Sequence, residues 1–239
     1  MKTNSKLISS VRLFRTTAHP CSYKEEQQAA TVFVDPDLVI DKNLNSKLSE
    51  LGYRRSGAHL YRPDCELCNA CISCRIPANN FQFKRRHKRI LNMNSDLRVE
   101  EHSDLTSEAA YALYQRYIAE RHRDGDMYPA TREQYEAFIK TKTVETRFYL
   151  FYAGEKLIAV SVSDGLEQGL SAVYTFFDPD ESKRSLGNFV ILWQLQKCQE
   201  LQLPYLFLGY WVKGCQKMQY KSEYRPLELL IDGKWVLLT

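Results

Sequence analysis

Long apolar runs are missing from this sequence. No stretch approaches the ~20 apolar residues that a bilayer-spanning helix needs. The opening residues MKTNSKLISSVRLFRTT hold no apolar core long enough for a secretory signal. Charge of one sign is scarce in excess. The 33 Lys and Arg stand against 29 Asp and Glu, a net of +4, too small by itself to argue for a nucleic-acid partner. Internal repeats, low-complexity segments and a G-x-S-x-G nucleophile motif are also absent. Cysteines number seven, an odd count. The expectation is a cytoplasmic protein with no membrane segment, in which thiols stay reduced and disulfides do not form.

What is present is ordinary for a globular chain: 239 residues, 44% hydrophobic and 26% charged, enough for one large domain or two modest ones. The pattern changes near residue 100. Residues 1–100 carry five of the seven cysteines and the basic run FKRRHKRI, with poor periodicity and turn signals at Asp35-Pro36, Leu51-Gly52 and Ser56-Gly57. Residues 101–239 read cleanly as α+β. Leu105, Ala109, Leu113, Tyr117 and Ile118 recur at helical spacing. Thr131 with Gln134 fits a capping box opening a second helix through Ile139. RFYLFYA and KLIAVSVSD flank a turn at Gly154-Glu155, and LSAVYTFF makes a third strand. A long helix SLGNFVILWQLQKCQEL, a buried strand YLFLGYWV, a short helix near QKMQYKSEY and a hairpin LELLIDGKWVLL follow.

That order is the one expected of a GNAT-like acyltransferase domain. Such a domain has a mixed, mostly antiparallel sheet with splayed central strands flanked by helices. Here it follows a Cys-containing N-terminal region. The splayed pair would be LSAVYTFF and YLFLGYWV. The loop DESKRSLGN between them is a degenerate form of the Gly-rich loop that holds pyrophosphate at a helix start, which weighs against coenzyme A.

Cys65, Cys68, Cys71 and Cys74 stand at a spacing of three. On one helix each step of three turns a side chain by ~300°, so Cys74 would face away from Cys65. Four convergent ligands therefore need a folded loop or an outside thiol, for which Cys21 is the best candidate. Such a set suits zinc or an iron–sulfur cluster. The alternative is that these thiols pack the N-terminal region. Cys198 and Cys215 read as packing residues.

The phrases PCSY, GYRRSG, YRPDCELCNACISCR, FKRRHKR, YTFFDPD, FLGYWVKGCQKMQYK and RPLELL together resemble the bacterial aspartate/glutamate leucyltransferases, relatives of the eukaryotic arginyl-tRNA–protein transferases, and the resemblance covers Pro20 to Trp235. The resemblance implies transfer of an aminoacyl group from aminoacyl-tRNA to protein N-termini beginning with Asp or Glu, feeding the N-degron pathway. It matches Cys21, Cys65, Cys68 and Cys71 as possible metal or cluster ligands; Cys74 departs from its pattern. DNA is not an implied partner.

The implied reaction sets chemical needs. A free α-amine has a pKa near 7.7–8.0, so much of it is neutral near pH 7 and positioning supplies much of the rate. An acidic first residue calls for arginine, whose planar fork binds a carboxylate; Arg54, Arg55 and Arg75 are the candidates. Asp178 is the candidate partner for the acceptor ammonium and a weak base. Lys84, Arg85 and Arg86 are the candidate phosphate contacts to tRNA. Tyr210, Trp211, Tyr220 and Lys221 are placed at the donor cleft, with Lys213, Lys217 and Lys221 toward the tRNA 3′ end. Each of these has a plain alternative as a solvated charge, a turn residue or a core aromatic. The competing functions are an arginyl-tRNA–protein transferase, an acetyl-CoA acetyltransferase and a non-catalytic zinc or RNA-binding module.

Overall fold

The computed structural model describes residues 11–125, 127–139 and 145–238. Residues 1–10, which open the segment read above for a targeting signal, lie outside them.

The chain opens with β1 (Leu13–Arg15), β2 (His19–Pro20), β3 (Gln28–Ala29), β4 (Thr31–Val34), α1 (Lys42–Glu50), β5 (Arg54–Ser56) and β6 (His59–Pro63). Strands β1, β4, β6 and β5 form a small antiparallel sheet in that order. Asp41 starts α1 by accepting the Leu44 N–H at 2.7 Å, the usual side-chain cap for an orphan donor. Leu48 of α1 buries against Val34, Ile40, Tyr53 and Leu60.

Next come β7 (Cys71–Pro77), α2 (Arg85–Met93), β8 (Arg98–His102), α3 (Glu108–Arg121), α4 (Arg132–Ile139), β9 (Thr146–Ala153), β10 (Lys156–Leu166) and β11 (Gly169–Phe177). The capping box forms both ways: Gln134 N–H donates to Thr131 Oγ1 at 3.2 Å, and Thr131 N–H to Gln134 Oε1 at 3.3 Å. The chain closes with α5 (Leu186–Glu200), β12 (Tyr205–Val212), α6 (Gln216–Gln219), the 3-10 turn Tyr220–Glu223, β13 (Leu227–Ile231) and β14 (Lys234–Leu238).

The main sheet has the order β14-β13-β7-β12-β11-β10-β9-β8. Its neighbours are antiparallel except β11 with β12. The architecture is thus mixed α+β around a mostly antiparallel sheet. Helices cover both faces, which is why β9 reads as an almost unbroken apolar run. Its alternate residues Phe148 and Leu150 pack toward α3 and α4, while Tyr149 and Phe151 pack toward α5.

The parallel contact between β11 and β12 is short. Gly169, Leu170 and Ser171 register with Tyr205, Leu206 and Phe207, and the ladder ends there. Beyond it β11 stays with β10, and β12 stays with β7. Both strands carry an extra residue just past the last pair. Val173 is skipped in the β10–β11 register, and Leu208 in the β12–β7 register. A bulge bends and twists its strand. Gly209, at φ +80°, adds a backbone turn that a side chain would resist. Two bulges and a left-handed glycine therefore pry the strands apart into a wedge.

The division expected at residue 100 is not a spatial one. Strand β7 lies inside the main sheet, between β12 and β13. Its seven residues, CISCRIP, give no alternating signal because most of them are buried.

Candidate active site at the strand wedge

Arg54 enters the wedge from the small sheet. Its Nη1 donates to Ser171 Oγ at 3.0 Å and its Nη2 to Ala172 O at 2.7 Å, where β11 loses β12 as a partner. On the other side a Cβ on Gly209 would lie 2.8 Å from Arg54 Nε. The guanidinium thus stands between the parted strands, satisfying a carbonyl that a continued ladder would have used. A guanidinium has five N–H donors, so capacity remains for another acceptor.

Lys221, on the 3-10 turn after α6, meets the wedge on the β12 side. Its Nζ donates to Tyr210 O on β12 at 2.6 Å. The residue is 7% exposed, and among the described residues no carboxylate pairs with it. Burial pushes its ammonium down to about 8, with Arg54 adding to the effect and the Cys74 and Cys215 thiols opposing it. Cys74 is buried next to it and donates to Gly209 O at 3.2 Å. The exposed Tyr220 ring has its centroid 5.9 Å from Lys221 Nζ.

The other two candidate arginines are engaged elsewhere. Arg55 is buried and doubly bonded to Asp164, Nε to Oδ2 at 2.6 Å and Nη2 to Oδ1 at 2.7 Å, with Nη1 on Gly57 O. Arg75 donates to Glu50 at 2.5 Å and Glu228 at 2.6 Å, and its guanidinium carbon lies 3.6 Å from the Tyr205 ring centroid and 4.2 Å from that of Trp235. Neither offers an open fork to a substrate carboxylate. Both lock segments together: Arg55 ties β5 to β10, and Arg75 ties β7 to α1 and β13.

Asp178 does not fit the role of ammonium partner or base. Its side chain is fully buried, held by Lys156 at 2.8 Å and Arg116 at 3.0 Å, and it accepts the Asp180 N–H at 3.0 Å. Burial alone would raise its carboxyl, but Lys156, the Asp180 amide and Arg116 together hold it below the usual carboxylate range. Its positive neighbours close it to a further cation.

Tyr210 is buried, and its hydroxyl donates between Gly52 O at 2.8 Å and Tyr61 O at 3.2 Å. It fastens the small sheet onto β12 and has no face free for a base. Trp211, opposite Ile72 in register, is half-buried against the β7–β12–α5 core. Lys213 is exposed. Lys217 pairs with Asp124 at 2.7 Å, both exposed. Of the residues expected at the cleft, the fold brings together Arg54, Tyr220 and Lys221.

A family model described as the C terminus of arginine-tRNA-protein transferase matches residues 109–231, and its N-terminal counterpart matches residues 19–89. The chain belongs to this family. It is 53% identical over 230 residues to the aspartate/glutamate leucyltransferase of Teredinibacter turnerae, covering 96% of this chain and 95% of that one. It is equally 53% identical over 228 residues to the protein of the same name from Alcanivorax borkumensis, covering 95% and 94%. Among solved structures, the crystal structure of FemX aligns with a TM-score of 0.45 at 9% identity, over 92% of this chain and 84% of that one.

The basic run forms the start of α2. Lys84, Arg85, Arg86, Lys88 and Arg89 are exposed, and the first turn has no acidic residue. Cations at a helix N-terminus oppose its dipole by ~0.3–1 kcal/mol each, so these charges are not there for the helix. Arg86 pairs with Glu223 at 2.7 Å; Lys84, Arg85, Lys88 and Arg89 form no ion pair among the described residues. His87 is buried between the rings of Phe81 and Tyr224, at 5.3 and 6.0 Å, which fixes α2 beside the turn that carries Lys221.

Cys21, Cys65, Cys68 and Cys71 are neighbours. The Cys71 thiol is pushed up to about 11, by burial first and then by Cys21, Cys65 and Cys68. In kind the donor set suits thiolate ligation, but among the described residues no three His, Cys, Asp or Glu side chains converge as metal ligands do. Cys198 is buried in the core, as its packing reading requires.

Sequence reading missed three parts of the wedge. Gly209 had a signal, since a glycine inside a strand marks a bulge or a close approach. Cys74 and Ser171 had none: they matter only through the strands that bring them beside Lys221 and Arg54.

Proposed function

We propose that this chain transfers leucine from leucyl-tRNA to the α-amine of proteins whose first residue is Asp or Glu, marking them for N-degron degradation. The observation that carries the reading is the Arg54 guanidinium seated where β11 and β12 part, in a chain half identical to named aspartate/glutamate leucyltransferases. The splayed pair is the feature for which a GNAT-like fold is the best description. The ester and the acceptor amine meet in that gap at ~3–3.5 Å, so that positioning supplies much of the rate. Arg54 uses its spare donors on the acceptor's carboxylate. Backbone N–H groups left free by the parted strands face the developing oxyanion. The exposed cations of α2 hold tRNA phosphates, and Lys213 lies on the same route. Tyr220 offers its ring to the terminal base.

A zinc ion or an iron–sulfur cluster on Cys21, Cys65, Cys68 and Cys71 would require these neighbouring thiols to draw closer than they stand among the described residues. The setting is the cytoplasm, where aminoacyl-tRNA is made. The test is incubation with labelled leucyl-tRNA or arginyl-tRNA and peptides differing only at residue one. Leucine should appear on peptides beginning with Asp or Glu and on no others. Transfer of arginine alone would establish the arginyl reading in its place. Label remaining on both tRNAs with every peptide would end it.

A further inference from the structure

Lys221 is a buried cation without a counter-ion among the described residues, a costly arrangement that folds tolerate when the neutral amine has a use. Its one acceptor among the described residues is Tyr210 O, and an ammonium carries three donors. The groups facing it are Arg54 from β5, Cys74 from β7, Cys215 from the turn after β12, and Tyr220 from its own turn. None is a carboxylate. Arg54 and Lys221 are arranged as counterparts. Arg54 holds a carbonyl on β11 just past the last parallel pair, and Lys221 holds one on β12 just past its end of the same pair. Two cations thus flank the gap, the Arg54 guanidinium and the Lys221 ammonium, and the second is able to lose its proton.

We propose that Lys221 is the general base and acid of the transfer, an inference that rests on the wedge being the site of leucyl transfer. The acceptor's neutral α-amine attacks the ester carbonyl carbon, forming the C–N bond. The nitrogen, now positive, gives a proton to the Lys221 Nζ lone pair. The C–O bond to the ribose then breaks, and the Lys221 ammonium returns that proton to the departing ribose oxygen. No proton is gained or lost overall, and Lys221 ends as it began. Arg54 holds the acceptor. The amine near pH 8 is poised for both halves of the exchange.

The test is single-turnover leucyl transfer to an Asp-initiated peptide at saturating peptide, from pH 6 to 9.5, with wild type and Lys221→Arg. Wild type establishes first whether the wedge carries out transfer at all; absence of transfer there overturns the functional reading rather than the role of Lys221. In an active wild type, the rate below pH 7 should rise with a slope approaching two, one ionisation from the acceptor amine and one from Lys221. Arginine keeps the hydrogen bond to Tyr210 O and the charge but does not release a proton. Lys221→Arg should therefore keep its thermal midpoint and leucyl-tRNA affinity, lose transfer by ~10²–10⁴-fold, and show a slope of one. A variant within threefold of wild type overturns the proposal and leaves Lys221 as a cap on β12. Should the variant not fold, the wild-type profile decides: a slope of one overturns the proposal, and a slope of two supports it.

Discussion

Arg54 lies across Gly209 so closely that a methyl group on the glycine would meet its guanidinium at 2.8 Å. The contact joins two strands from different sheets, and Gly209 sits at φ +80°. Gly209→Ala meets both obstacles. The left-handed backbone alone costs ~1–3 kcal/mol, and the displaced Arg54 loses Ser171 and Ala172. Urea denaturation should show a loss in that range, with transfer falling more steeply than stability. Removing the guanidinium relieves the clash, so Arg54→Ala with Gly209→Ala should destabilise by less than the sum of the single changes. Additive costs would show that the two residues do not press on each other.

Arg55 and Asp164 are a stability pair. Replacing one member of a buried pair strands the other, at ~3–5 kcal/mol. Arg55→Met should lower the unfolding free energy by about that much, read as a shift of the denaturation midpoint. The double change Arg55→Met with Asp164→Leu, which leaves no buried charge, should recover most of the loss. A midpoint unmoved by Arg55→Met would contradict the burial seen here.

Asp178 should make stability depend on acid. Lys156 and Arg116 hold its folded pKa below the ordinary value of about 3.9. A depressed carboxylate contributes stability above its unfolded pKa, and that contribution fades as pH falls through the folded one. Asp178→Asn should therefore destabilise at pH 6–7, and the gap to wild type should narrow below pH 4. Chemical denaturation at a series of pH values checks it; a constant gap would show that ionisation is irrelevant there.

The exposed cations of α2 should be read out by salt. Each lost phosphate contact lowers the slope of log K against log salt by about 0.7–0.9. Arg85→Ala with Lys88→Ala should weaken leucyl-tRNA binding and flatten that slope by about 1.4–1.8, with the fold intact. An unchanged slope would place the tRNA on another face.

Several elements are legible in the sequence alone. Thr131 and Gln134 announced their helix because a capping box is a local exchange of hydrogen bonds. The turn at Gly154-Glu155 was legible for the same reason, and so was the order of strands and helices after residue 100. The CISCRIP strand was not, since a strand buried between two neighbours has no alternating pattern to read. Charged residues were the least legible. Arg54, Arg55 and Arg75 look alike in sequence, yet one stands in the wedge and two are sealed in ion pairs. Asp178 looked like a free turn carboxylate, and its two cations come from α3 and the start of β10.

By itself the sequence determined the local elements and the family, because caps, turns and contiguous motifs depend on residues near one another in the chain. Which charges are open to a substrate was decided only by the tertiary structure. A guanidinium's availability depends on whether a carboxylate from a distant segment reaches it first. The wedge belongs to the second kind too: a bulge on β11 and a bulge beside Gly209 on β12 part these strands, which α5 separates in the chain, only once the sheet has assembled.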